Sequence, residues 1–339
     1  MKTKQFLSLI LLLSIYSCSI FKGKGELVGI SIKYDKKADI NYGKKFYLQV
    51  IGEYSSGKTR NISNKDGLTL KVKGADYKNQ KIKIISHPTE FKSDVISANA
   101  TYVYDGKSFS DSVKIPFNYK GAVELFFNGK NGTNGSDGSN GGTAWIWRFG
   151  KNGSHGEVGS DGLQGHELSI YVWKEGLLYH LMVEDLTDNK TFYYKANNST
   201  SFYKFSSIGG KAGDGGDGGN GGDGKHGVVK DEKTKKAGYG GDAGNGANGG
   251  NGGQGGNVRV FIHPTAIAFK DFIKISNFAG TGGKAGVGGK AGKAGTPLQG
   301  NTKPEEGKAG KNGLKGLDGK LGDINSKEVT EFDFESLKN

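Results

Sequence analysis

The sequence predicts a fold that is all-β plus irregular: a β-sandwich followed by a six-rod polyglycine II bundle on a small β base. Short alternating segments separated by turn residues occupy 27–120, as expected of a sandwich. Beyond them glycine recurs at every third position, and strand-like segments lie only between alternate glycine runs. The glycine runs, called runs 1 to 6, are 129–141, 150–165, 210–222, 238–256, 280–295 and 307–322.

The first segment, 1–17, has the pattern of a signal peptide. Lys2 and Lys4 precede an apolar stretch, 6–16, that is too short for a permanent membrane-spanning helix. Removal of 1–17 would lower the formal charge from +13 to +11. We therefore expect an exported protein.

Cys18 is the sole cysteine, so a disulfide framework is excluded. The residues Ile15-Tyr16-Ser17-Cys18 resemble the lipobox of bacterial lipoproteins, although Tyr16 replaces the usual small residue. The resemblance implies a lipid on Cys18 that anchors a tether, 18–26, to the membrane. The alternative is a secreted protein with one incidental thiol.

The composition restricts the partners. The positive charge favours anionic partners, which outside the inner membrane are lipopolysaccharide, acidic glycans or acidic proteins. RNA-binding aromatic motifs and zinc-finger spacings are missing, so no nucleic-acid partner is expected. With 34% hydrophobic residues and 60 glycines, part of the chain cannot form an ordinary apolar core.

Residues 27–120 are predicted to form the β-sandwich. Within it, 46–62 resembles the central hairpin of bacterial immunoglobulin-like domains, which implies a spacer or adhesive module without chemistry of its own. The candidate strands are 29–34, 45–54, 68–72, 81–85, 96–104 and 111–119.

The same hairpin contains a match to a phosphate-binding loop. Residues 52–59 fit the pattern G-x-x-x-x-G-K-[ST], whose chemistry requires a following helix. Residues 60–70 carry turn-forming Asn61, Asn64, Asp66 and Gly67 instead. Nucleotide binding is therefore not expected.

A glycine at every third position matches an extended helix with three residues per turn. Such a rod has one face without Cβ atoms, where another backbone can approach closely, and it makes no internal hydrogen bonds. Collagen is the competing interpretation, but it requires abundant proline and the chain has only 5 prolines. Six rods packed within one chain are therefore favoured over a trimeric collagen-like stalk.

The number of glycine stripes predicts the position of each rod. The stretches 209–227 and 238–256 carry two stripes and should be central; 280–295 comes next, and the other runs should be peripheral. Leu314, Leu317 and Leu321 would need cover, for which the C-terminal tail, 324–339, is a candidate. The glycines expected to be structural are Gly216, Gly219, Gly246, Gly249, Gly252, Gly286 and Gly289.

The remaining columns of the rods are polar. One column contains Asp214, Asp217, Asn220 and Asp223, and another contains Lys284, Lys290 and Lys293. The two columns would form spaced ion pairs if they faced each other. A calcium site on the aspartate column is less favoured, because successive positions lie about 9 Å apart. A solvated face is the simplest alternative.

Alternation of strands and runs predicts three rod hairpins across 121–323, with a β base at one end and three tip loops at the other. The segment 249–260, GGNGGQGGNVRV, resembles the N-terminal domain of Obg-type GTPases. That resemblance implies six polyglycine II helices on a β base. The GTPase domain is missing, so GTP hydrolysis is not implied. Phage tail-tip adhesins and insect antifreeze proteins have similar rod bundles.

Two tip loops are candidate partner-binding sites. Large exposed side chains at a rod end resemble binding hot spots, although they could instead cap the bundle. The basic loop 225–237 suits an anionic glycan, with a solvated loop as the alternative. The candidate residues are Trp145, Trp147, Arg148 and Phe149 in one loop, and Lys230, Lys233, Lys235 and Lys236 in the other.

No catalytic or metal-binding pattern is recognisable. The 6 histidines lack metal spacing and the sequence has no G-x-S-x-G, so neither enzyme activity nor a cofactor is expected. The resulting hypothesis is a monomeric, lipid-anchored outer-membrane or cell-surface scaffold whose tip loops bind a glycan or a partner. The alternatives are an accessory subunit of an outer-membrane envelope complex and a trimeric collagen-like stalk.

Overall fold

The computed structural model describes residues 25–84, 94–144, 149–197, 201–230 and 233–329. The chain divides after Gly121 into two compact units. The described residues form several β-sheets and a single 3-10 helix, Pro264–Phe272, which confirms the all-β class. Within the described ranges, no helix is long and apolar enough to cross a membrane.

The first unit contains two sheets. One has the order β1-β2-β6-β5 with β3 also paired to β2, and the other has the order β4-β7-β8. The amide of Ile32 in β1 donates to Asp111 Oδ2 in β8 at 2.6 Å, which joins the two sheets. The strands are β1 Leu27–Tyr34, β2 Lys45–Tyr54, β3 Thr59–Asn61, β4 Leu68–Lys73, β5 Asp76–Lys78, β6 Lys81–Lys83, β7 Val95–Tyr104 and β8 Lys107–Pro116.

Alternation of apolar and polar residues places the core of this unit between its sheets. In β2, Phe46, Leu48 and Val50 are buried, whereas Tyr47 between them is 57% exposed. Successive side chains of a strand point to opposite faces, so the apolar set lies on one side. Ile82, Ile96 and Ile115 from other strands complete the core.

The match to a phosphate-binding loop lies in a turn between two strands. The amide of Tyr54 donates to the carbonyl of Lys58 at 3.0 Å, and Gly57 adopts a φ of 75°. The chain then continues as β3 and β4 rather than as a helix. The turn therefore lacks the helix N-terminus that phosphate binding needs.

The second unit has two sheets below the glycine runs. One has the order β17-β13-β9, and the other has the order β12-β11-β10-β16-β18 with β10, β16 and β18 parallel. Leu168, Ile170, Tyr203, Phe205 and Phe269 form a buried core. The strands are β9 Gly121–Phe126, β10 Leu168–Glu175, β11 Leu178–Asp185, β12 Lys190–Asn197, β13 Ser201–Ser206, β14 Val228–Lys230, β15 Lys233–Lys235, β16 Val258–Ile262, β17 Ile273–Ser276 and β18 Ile324–Glu328.

Each glycine run is continuous with one strand of these sheets. Strands β9, β13 and β17 lead into runs 1, 3 and 5, whereas β10, β16 and β18 follow runs 2, 4 and 6. Odd-numbered runs therefore leave the sheets and even-numbered runs return to them. Runs that follow one another in the sequence therefore have opposite chain directions.

Backbone hydrogen bonds join the runs at intervals of three residues. The amides of Gly132, Gly135 and Gly138 in run 1 donate to the carbonyls of residues 211, 214 and 217 in run 3 at 2.7–2.8 Å. Equivalent series join runs 1–2, 2–3, 2–4, 3–4, 3–5, 4–5, 4–6 and 5–6. Runs 3 and 4, which carry two glycine stripes, are each bonded to four other runs, whereas runs 1 and 6 are bonded to two.

The polar columns make a second set of bonds between the runs. Asn134 Oδ1 accepts from the amide of Asp214, whose own Oδ1 accepts from the amide of Lys284 at 2.8 Å. The same relay runs from His155 through Asn245 to Lys311. The aspartate column therefore binds backbone amides of run 5, which replaces the ion pairs expected with its lysines.

Two further segments differ from their sequence assignments. The alternating sequence of 269–278 predicts a strand, but its first four residues belong to the 3-10 helix. That helix begins at Pro264, where His263 caps it by accepting from the amide of Thr265. Residues 225–237 read as a loop but contain the antiparallel strands β14 and β15.

The assigned tail, 324–339, also begins differently. Its first five residues form β18 and pair in parallel with β16. Leu314, Leu317 and Leu321 are 72%, 74% and 68% exposed when all described residues are present. Since 330–339 lies outside the described residues, the described part of the tail does not provide the expected cover.

Candidate binding surface at the ends of the glycine runs

The segments that connect runs 1–2, 3–4 and 5–6 meet at the end of the runs opposite the sheets, which we call the tip. The amide of Ala144 donates to the carbonyl of Asp223, and that of Gly227 donates to Thr296, both at 2.9 Å. The amide of Gly240 reaches the carbonyl of Glu305 at 3.1 Å. Backbone bonds therefore hold the three connecting segments in one place.

Phe149 and Tyr239 form an exposed aromatic pair at the tip. Their ring centroids lie 5.4 Å apart with an interplanar angle of 24°, so the rings are stacked. Phe149 is 54% exposed and Tyr239 is 49% exposed. The amide of Gly150 donates to the carbonyl of Tyr239 at 3.0 Å, which fixes the backbones that carry the two rings. The pair presents a positioned apolar surface to solvent.

A basic hairpin lies in the segment that connects runs 3 and 4. Lys230 in β14 pairs in register with Lys233 in β15, and Val228 pairs with Lys235. The side chains of Lys233, Lys235 and Lys236 are exposed. Within the described ranges, none of these three lysines takes part in an ion pair. The hairpin therefore adds positive charge to the tip.

The structure brings together only part of the predicted site. Phe149 and the lysines of the basic hairpin lie in connecting segments of the tip, whereas Trp145, Trp147 and Arg148 lie outside the described residues, as does Cys18. Tyr239 is not among the residues predicted from the sequence to lie in the site. Its signal was available, because Tyr239 is the only aromatic residue in run 4.

The predicted structural glycines lie where another run passes closely. A Cβ built on any of them would come nearer than 3.0 Å to a carbonyl group of a neighbouring run. The glycines and the residues whose carbonyls they face are Gly216 and Ser136, Gly219 and Ser139, Gly246 and Gly286, Gly249 and Gly283, Gly252 and Gly280, Gly286 and Gly216, and Gly289 and Gly219.

One cluster at the opposite end has the residue types of a metal site. Nitrogen and oxygen atoms of His166, Asp185 and Asp188 lie within 4.8 Å of one another. His166 Nδ1 lies 2.7 Å from Asp185 Oδ2, and Asp185 Oδ1 accepts from the amides of Thr187 and Asp188 at 3.1 Å. These bonds tie the turn after β11 to the end of run 2, so a structural role accounts for the cluster.

Asp188 of this cluster is also paired. Its Oδ2 lies 2.9 Å from Lys190 Nζ, and the hydrogen bond and charge of Lys190 lower the pKa of Asp188. The same pair raises the pKa of Lys190. A metal ion would have to displace both the lysine and the His166–Asp185 hydrogen bond.

Comparison of the chain with protein-family models, with curated proteins and with solved structures gave no match.

Proposed function

We propose that this chain is a non-enzymatic, lipid-anchored protein of the outer membrane or cell surface that binds a ligand at the tip. The observation that carries the proposal is the exposed Phe149–Tyr239 pair, held at the end of hydrogen-bonded glycine runs. Lipid attachment at Cys18 and export rest on the sequence of 1–18. No cofactor enters this function.

The scaffold is, in this proposal, a bundle of six polyglycine II helices. Bonds at every third residue support it, because rods with three residues per turn make no internal hydrogen bonds and must bond to neighbours. The same bonds favour a monomer over a collagen-like trimer, since backbone amides find partners within one chain. The first unit, with its two sheets and shared apolar core, is proposed to be an immunoglobulin-like spacer.

The ligand class proposed for the tip is an anionic glycan. Aromatic faces pack against the apolar face of a sugar ring, and exposed lysines attract carboxylate or sulfate groups. The tip combines the Phe149–Tyr239 pair with Lys233, Lys235 and Lys236. Stacking and charge attraction would act together only on a ligand that has both sugar rings and negative charge.

A glycan array probed with the exported full chain tests this function. We expect binding to acidic glycans that weakens at least about tenfold in Phe149→Ala and Tyr239→Ala, and that falls with added salt. Leu177→Ala is the matched control, because Leu177 is 88% exposed in the turn between β10 and β11, away from the tip. Unchanged binding in both aromatic variants would overturn the tip as the site, provided that their hydrogen exchange matches the parent chain.

A second candidate function, accessory subunit of an outer-membrane envelope complex, is favoured by a different surface. Leu314, Leu317 and Leu321, which we call the leucine row, are exposed along run 6, with Leu314 and Leu317 three positions apart. Contiguous exposed apolar residues mark protein contact sites. A stoichiometric partner captured from envelope membranes by the parent chain, and lost with all three leucines changed to serine, would favour the subunit over a free adhesin. Retention of that partner by the serine variant would exclude the row as the contact.

A further inference from the structure

A cleft opens between the two sheets of the second unit, where the edge strands β17 and β18 diverge. It has a volume of about 230 Å³ and is lined mainly by aliphatic side chains. Val260 is buried at the floor, whereas Ile324 on β18 is 50% exposed. A neighbouring hollow of about 380 Å³ shares Ile262, Lys270 and Ser326 with the cleft, so the two form one groove. We call it the base groove.

Both walls of the base groove are sheet edges. Strand β18 ends the order β12-β11-β10-β16-β18, and β17 ends the order β17-β13-β9. An edge strand has backbone groups free to pair with another segment. The groove thus offers an apolar floor together with backbone that can accept an additional strand.

The rim of the base groove is basic. Lys270, Lys274 and Lys327 line it together with Asp271 and Glu328. In the described part of the chain, no ion pair includes any of these three lysines. An occupant with apolar groups on one face and acidic groups on the other would match both the floor and the rim.

The residues that follow the last described residue have apolar and acidic side chains in alternation. Val329 is buried, and its amide donates to the carbonyl of Ile262 at 3.1 Å, so the described chain ends at the groove. In the following ten residues, 330–339, apolar Phe332 and Phe334 alternate with Glu331, Asp333 and Glu335. Period-two alternation gives a strand one apolar and one acidic face.

We propose that segment 330–339 docks in the base groove as an added strand, with Phe332 and Phe334 on the aliphatic floor and its carboxylates at the lysine rim. The segment is long enough, because ten extended residues span about 33 Å and the five residues of β18 span about 17 Å. Covalent connection gives the segment a high effective concentration at the groove. In this position the segment would cover the aliphatic floor of the base groove.

Hydrogen exchange of the full chain, compared with a chain that ends at Val329, tests the proposal. We expect the amides of β17 and β18 to exchange at least about tenfold more slowly in the full chain. The double variant Phe332→Ser/Phe334→Ser should exchange like the shortened chain. Replacing Glu331, Asp333 and Glu335 with Gln, Asn and Gln should give an intermediate loss that disappears at high salt.

Two controls make the outcome decisive. Lys338→Gln should keep full protection of β17 and β18, because it removes no apolar or acidic group. Equal exchange of these strands in the full and shortened chains would overturn the proposal. Protection that depends on protein concentration, with dimers in sedimentation, would also overturn it, because the groove would then take a segment from a second copy.

Discussion

The first unit and the glycine runs of the second unit are each stabilised by different interactions. In the first, side chains such as Leu48, Ile82 and Ile96 are fully buried between sheets. In the described glycine runs of the second, the buried apolar residues are only Ala212 and Ala247, and the runs are joined by backbone hydrogen bonds and by side chains that accept from backbone amides. The difference teaches that a chain segment can be ordered without an apolar core when neighbouring backbones supply its hydrogen-bond partners.

The two types of packing also tolerate change differently. An apolar core loses stability in proportion to the volume that is removed. Packed glycine runs leave no room for the smallest added side chain, since a Cβ would overlap a carbonyl group. Truncation of a buried side chain therefore tests the packing of the first unit. Enlargement of a glycine tests the packing of the glycine runs.

The largest effect is expected from Gly249→Val. Its Cβ would collide with the carbonyl of Gly283, and its amide bonds to the carbonyl of Leu314 at 3.0 Å. We expect a loss of more than about 4 kcal/mol and rapid hydrogen exchange throughout the glycine runs. Gly57→Ala is the control: Gly57 has a φ of 75° with no atom within 4 Å of a Cβ, so only about 1–2 kcal/mol should be lost. Equal tolerance of both changes would contradict the close packing of the runs.

The next effect is expected from Leu48→Ala in the first unit. Truncation of this fully buried side chain should cost about 2–5 kcal/mol, measured as faster exchange in β1, β2 and β7. Exchange in the glycine runs should not change, because they have no share in this core. The exposed neighbour provides the control, since Tyr47→Ala should cost less than about 1 kcal/mol. Faster exchange in both units after Leu48→Ala would show that they unfold as one.

The smallest effect is expected from Asn245→Ala in the polar column of run 4. The change removes the acceptor for the amide of Lys311, which lies 2.8 Å from Asn245 Oδ1. We expect a loss of about 1 kcal/mol, measured by thermal unfolding and by exchange of run 6. Asn245→Asp keeps an oxygen acceptor in place and should stay within a few tenths of a kcal/mol. Identical results for the two variants would show that this bond contributes nothing.

The sequence pattern of the glycines predicted the contacts between runs, whereas the pattern of the polar residues did not predict their hydrogen bonds. If the polar column were only a solvated face, the sequence would predict a small loss of stability for Asn251→Ser. In the structure Asn251 Oδ1 accepts from the amide of Leu317 at 2.9 Å, and its own amide donates to Asp161 at 2.5 Å. The column is therefore a bonding element, with an expected cost close to that of Asn245→Ala.

The candidate site was predictable only in part. The exposure of the lysines in 225–237 was predictable from the sequence, because charged residues in turns remain solvated. The Phe149–Tyr239 pair was not, because the two residues are 90 positions apart and meet only when runs 2 and 4 lie side by side. The base groove was hidden for a similar reason: its walls come from strands distant in the sequence.

The sequence by itself determined the all-β class, the positions of most strands and the six glycine runs, since these follow from local periods of two and three residues. Only the tertiary structure decided which runs bond to which, that Asn and Asp side chains bind the next backbone, and that β18 joins the sheet. The physical reason is that the backbone amides of the described glycine runs donate to carbonyls of other runs, not to carbonyls of their own run. The backbone hydrogen bonds of a run therefore go to chain segments that its local sequence does not specify.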